Sequence, residues 1–227
     1  MSMSVGVLLM LGRMILGPLQ KLTSKVVKAA VAPFVQAHEA LEAADAVVDE
    51  ADREVHAANI AAAEADEVQD RAVLVLAAAL AGDGFNRTNP FKAFGAPAPS
   101  KLSNQGALVE AKALTALAAA VLAHPKASAE TKRAATDAAR AAEVMTDASM
   151  RQSRAVAKRS ASATARDRTI PGQWRAALTD LKAVVRYADV VDGTDNYVRI
   201  FASVNKAIAA AKKKQKTPPP VPTTPIS

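Results

Sequence analysis

The chain has no cysteine. A disulfide framework, a thiol nucleophile and any cysteine-ligated zinc site are therefore excluded. Aromatic residues are scarce: one tryptophan, two tyrosines and five phenylalanines in 227 residues. The nine glycines read as turn residues, and neither a GxGxxG nor a Walker A loop is present to cradle phosphates. There are three histidines, His38, His56 and His124. Residues Val35, Arg53 and Val121 precede them by three positions, so the Glu-x-x-His pairs of di-metal helical bundles are missing. Asp49, Asp52 and His56 share a helix face, but a metal needs several converging ligands, and a solvated face accounts for them. Ser149, Ser153, Ser160 and Ser162 have no nearby histidine or strained elbow to activate them. No catalytic residue, cofactor, metal or small-molecule substrate is expected. Strand signal is also lacking, because β-branched residues rarely alternate with polar ones.

Half of the chain is apolar, and nearly half of those residues are alanine. Alanine is the best helix former but fills a core poorly. The composition therefore predicts an all-α protein of long, closely packed helices.

The organising stretch is Phe34 to Ala81. With Phe34 as heptad position a, the a series is Phe34, Leu41, Val48, Val55, Ala62, Gln69 and Leu76. The d series is Ala37, Ala44, Ala51, Ala58, Ala65, Ala72 and Ala79. Position e begins His38, Asp45, Asp52, Asn59 and Asp66, which gives the stripe a polar edge. Apolar a and d at a period of 3.5 is the coiled-coil pattern. A helix over this stretch is roughly 70 Å long and needs a partner helix. The complement is a second small-residue seam over 129–168: Ala134, Ala141, Ala148, Ala155 and Ser162, flanked by Ala138, Met145 and Gln152. The expected architecture is an elongated helical bundle with coiled-coil-like Ala-rich seams and two long helices.

Punctuation divides the rest. Residues 1–32 read as a basic, apolar N-terminal helix ended by Pro33. Arg13 interrupts its apolar run, which is also short for a membrane span. An early cation and a good cleavage site are both missing for a signal peptide, since Ala-Val-Ala at 30–32 is followed by proline. Residues 33–168 form the long-helix bundle, with a loop at 83–103. Residues 169–214 form two shorter helices, set off by Thr169-Ile170-Pro171-Gly172. Residues 215–227 read as a disordered or polyproline-like tail.

Net charge is +7, arranged in alternating blocks. Residues 1–38 hold Arg13, Lys21, Lys25 and Lys28 and no acid. Residues 39–71 hold eleven acids against Arg53 and Arg71. Residues 148–168 hold Arg151, Arg154, Lys158, Arg159, Arg166 and Arg168 against Asp167. Such blocks suit helix pairing, with basic 151–159 against the acidic run.

Function is expected to be non-enzymatic: a structural or assembly protein acting through a protein partner or a homo-oligomer. The helix-pairing seams would carry it, with Phe85, Phe91 and Phe94 as a docking loop. The alternative use of those rings is to cap the end of the bundle. A membrane-active helical protein is the second reading. Its surface would be Lys21, Lys25 and Lys28, which fall at i, i+4 and i+7 as one basic stripe, or an apolar tip at 72–82 and 107–123, by analogy with α-helical pore formers. A third reading is nonspecific nucleic-acid association through Arg151, Arg154, Lys158 and Arg159. The expected location is cytoplasmic or membrane-peripheral.

Overall fold

The computed structural model describes residues 3–214. Residues 1, 2 and the proline-rich tail at 215–227 lie outside the described residues. The described residues form six helices and no strand. They are α1 (Val5–Leu19), α2 (Lys25–Gly82), α3 (Pro99–Leu102), α4 (Ala107–Ala123), α5 (Ala129–Asp192) and α6 (Asn196–Lys214), with a short 3-10 turn at Pro90–Phe94. The chain is all-α and two of its helices are long, at 58 and 64 residues.

Two expected breaks are absent. Pro33 lies inside α2, and Pro171 inside α5. A proline within a helix removes the bond to the carbonyl four residues earlier, at a cost of about 3 kcal/mol. Here those carbonyls belong to Ala29 and Asp167, both exposed, so water can satisfy them. The neighbours offset the remaining cost: Phe34 beside Pro33, and Trp174 one turn beyond Pro171, are fully buried. The N-terminal break comes earlier than expected, at residues 20–24. Lys21 consequently lies in that turn and not on the helix of Lys25 and Lys28.

The chain divides into two compact units, residues 1–49 with 161–227, and residues 50–160. In the first, α1 buries Leu8, Leu11, Ile15 and Leu19, the i, i+3, i+4 face of an amphipathic helix. They pack with Phe34 and Leu41 of α2, Trp174, Leu178 and Leu181 of α5, and Phe201 and Val204 of α6. Each such side chain contributes roughly 1.5–3 kcal/mol on burial. Gly12 gives α1 its close approach to α2, because a Cβ at this position would collide with the His38 ring. Asp189 caps α6, accepting from the backbone N–H of Asn196 at 3.0 Å and of Tyr197 at 2.6 Å.

In the second unit, α2, α4 and α5 share a core. Val73, Leu76 and Leu80 meet Leu114, Leu117 and Val121, with Ala134, Ala138 and Met145 from α5. Small side chains on α5 permit close helix approach. Here α2 and α5 run antiparallel. Gln152 donates to Asn59 at 2.9 Å, Lys158 Nζ pairs with Glu54 at 2.6 Å, and Arg159 Nε pairs with Asp52 at 2.9 Å. The end of α2 is tied to the start of α5, where Asp83 accepts from the Ser128 backbone N–H at 2.7 Å. Ser128 caps α5, its Oγ accepting from the Thr131 backbone N–H at 3.1 Å.

Candidate functional site

The seam positions divide by depth. Ala51, Ala65, Ala134, Ala141 and Ala148 are buried, while Ala37, Ala44, Ala58, Ala72 and Ala155 are half-buried. Among the a positions, Phe34, Leu41, Val48, Ala62, Gln69 and Leu76 are buried.

The three loop phenylalanines do not form an exposed docking surface. Phe91 is fully buried in the second core. Phe85 and Phe94 pack with their rings tilted and centroids 5.4 Å apart, and each meets the His124 ring edge-on at 5.3 Å. The rings close one end of the α2, α4, α5 core.

The basic residues separate into pairs. Lys158 and Arg159 are engaged with Glu54 and Asp52. Arg151 and Arg154 are exposed and make no ion pair among the described residues. Arg53 pairs with Glu50, three residues before it on α2. Lys21, Lys25 and Lys28 are all exposed, but the apolar face of α1 that would accompany them into a lipid surface is occupied by the first core. No helix among the described residues is long and apolar enough to cross a membrane. Within the apolar stretch 72–82, Leu74 and Val75 are exposed. Asp49, Asp52 and His56 do not converge, and no three His, Asp or Glu side chains among the described residues are grouped to hold a metal ion.

Two features escape the heptad reading. The first is polar and lies in the second core. Gln69, an a position of α2, donates to the Ala107 carbonyl at 3.3 Å. Glu110, in the first turn of α4, is buried nearby. Burial pushes its carboxyl up to about 7, the Asp70 carboxylate adds to the shift, and the Gln69 carboxamide opposes it. Glu110 Oε1, Gln69 Oε1 and Asp70 Oδ1 are buried with no hydrogen-bond partner. Protonation turns the Glu110 carboxyl from an acceptor into a donor among these acceptors. The sequence signal was the polar residue at a, which breaks an otherwise apolar series.

The second is a groove of about 350 Å³ between α2 and α5 in the second unit. Its floor is Ala61, Ala65, Val68, Val144 and Ala148, and its rim is Glu64, Asp147 and Arg151. On the helical wheel, Ala61 and Val68 fall on the opposite side of Ala65 from Ala62, Gln69 and Val73, which pack toward α4. The groove therefore lies on the side of the α2–α5 seam that α4 leaves open. Ala61, Val68 and Val75 recur every seven residues at heptad position g. Val68 is 51% exposed, Val75 53% and Val144 49%. The signal was present in the sequence as this third apolar series beside a and d. No family model matches the chain, and neither a curated protein nor a solved structure resembles it significantly.

Proposed function

We propose that the chain is a non-enzymatic assembly protein that engages another protein helix through the open side of the α2–α5 pair in its second unit. The observation that carries this reading is the line Ala61, Val68 and Val75, left uncovered opposite Val144. An apolar groove with a charged rim is the surface into which an amphipathic helix lays its apolar face. Small residues on the floor let a helix backbone come close. The membrane reading gains no support, since the apolar residues of α1 are spent in a core. The nucleic-acid reading is weakened, because Lys158 and Arg159 already face acids.

A photo-crosslinking residue at Val68, with a control at the exposed Leu108 of α4, tests the proposal in the native host. Protein adducts at position 68 and none at 108 are expected. Equal labelling at both sites, or none at 68, refutes the assignment of the face.

A further inference from the structure

Oxygen acceptors without donors gather on one side of the second core. Gln69 is fully buried, and its amide nitrogen is held on the Ala107 carbonyl at 3.3 Å. A carbonyl only accepts, so the amide is fixed in this orientation, and Oε1 is left as an enclosed acceptor with no partner. Glu110 is 1% exposed, and its Oε1 is likewise enclosed and unpartnered. Asp70 Oδ1 is the third such atom. The Asp70 charge acts on the Glu110 carboxyl, as does that of Asp66 one turn earlier on α2, so these groups lie close together. We propose that Gln69, Asp70 and Glu110 bind a hard divalent cation, calcium or magnesium, where α2 meets the first turn of α4.

The donor set selects the ligand. All three unpartnered atoms are oxygens, and hard cations take oxygen ligands. Neither Asp70 nor Glu110 makes an ion pair among the described residues. A buried carboxylate needs a charged partner or several hydrogen bonds. A single proton on Glu110 serves one acceptor and leaves the others without a donor. A water molecule has two hydrogens and leaves the charge uncompensated. A divalent cation serves all three oxygens and balances both carboxylates. Only two of the ligands are acids, and the carboxamide is the third.

The site also has an entrance. Asp70 lines a cleft of about 370 Å³ together with Leu74, Thr88, Pro99, Ser100 and Ser103. Thr88, Ser100 and Ser103 bring hydroxyls to its wall. Asn89, next to Thr88 in the chain, holds a further enclosed and unpartnered oxygen, its Oδ1. An ion can enter through this cleft and keep water in the coordination positions that the chain leaves unfilled, as both calcium and magnesium do. The site lies within the second unit and is independent of the assembly role proposed for its open face.

Calorimetric titration of the purified full chain, first stripped with a chelator and held at pH 8, tests the proposal. Calcium chloride or magnesium chloride should bind in equimolar ratio to the chain, with a dissociation constant of about 1 mM or tighter. The ion should also raise the melting midpoint, because it binds the folded chain. Asp70→Asn and Glu110→Gln keep the side-chain shape and remove one charge each. Each should weaken binding by about tenfold or more, while circular dichroism shows unchanged helical content. Glu64→Gln alters an exposed acid on the same helix and should bind as wild type does. No binding of either ion up to about 10 mM, beyond the range of the weakest calcium modules, overturns the proposal. So does binding that survives both Asp70→Asn and Glu110→Gln. Equal weakening by Glu64→Gln also overturns it, since that marks diffuse attraction to the acidic helix.

Discussion

Trp174 donates its indole N–H to Nδ1 of His38 across 3.3 Å, and both residues are buried in the first core. This bond holds His38 in the tautomer with its proton on Nε2, which faces Glu42 Oε1 at 3.5 Å. Phe34 packs on both, its ring centroid 5.4 Å from the indole and 6.3 Å from the imidazole. Trp174→Phe keeps most of the ring volume but leaves Nδ1 without a donor. A loss of about 1–3 kcal/mol is expected in urea denaturation followed by circular dichroism, because a buried acceptor is left unpaired.

His38 also sets a pH dependence. Burial pushes its pKa below the ordinary histidine value of 6.5, against the pull of Glu42. The unfolded chain therefore takes up a proton before the folded one does. Stability contributed by the neutral ring is present above pH 6.5 and declines as pH falls below it. The imidazole resonances of His38 should titrate with a midpoint under 6.5. A midpoint above that value would contradict the burial argument.

Glu110 acts in the opposite sense. Its carboxyl is raised from 4.5 to about 7 in the fold, so the folded state keeps a proton that the unfolded state releases. Stability from this group is highest below about pH 4.5 and falls as pH rises to about 7. Glu110→Gln carries a permanent donor in place of the proton. The variant should be more stable than wild type at pH 8, by about 1–3 kcal/mol. The gap between the two should close toward pH 5, and melting curves at both pH values would show it.

Gly12→Ala places a methyl group in the space of the His38 ring. Overpacking of this kind costs about 1–3 kcal/mol. His38→Ala should relieve part of that cost, so the double variant should be more stable than the sum of the single effects predicts. A denaturant double-mutant cycle measures the coupling, and strict additivity would show that the two sites do not touch.

Lys158→Glu with Arg159→Glu sets like charges against Glu54 and Asp52. Both pairs are exposed, so their loss should be small, about 0.2–1 kcal/mol each. The effect on the melting midpoint should shrink between 50 mM and 1 M salt.

The helical class and the two long helices were legible because alanine content and period agree over dozens of residues. The buried a positions, from Phe34 to Leu76, could be named from spacing alone. Helix ends were less legible. Pro33 and Pro171 read locally as stops, yet Phe34 and Trp174 bury enough surface to carry the helices past them, and that burial depends on residues far away in sequence. The groove was half legible: the g series Ala61, Val68 and Val75 is visible, but only packing shows that α4 covers the opposite side. Glu110 was illegible, because a first-turn glutamate normally faces water and helps cap the helix. Its burial follows from where α4 meets Gln69.

The division of the chain into units separates local from long-range closure. Residues 50–160 form one uninterrupted segment, so the second unit can form from neighbouring chain. The first unit is assembled from both ends, and its Trp174–His38 bond joins residues 136 positions apart. Closing so wide a loop costs entropy that grows with the free chain between the ends. Once residues 50–160 have folded, much of that chain is no longer free, and the loop is effectively short. A nascent chain that stops at residue 160 holds every residue of the second unit but none of the α5 and α6 residues that complete the first core.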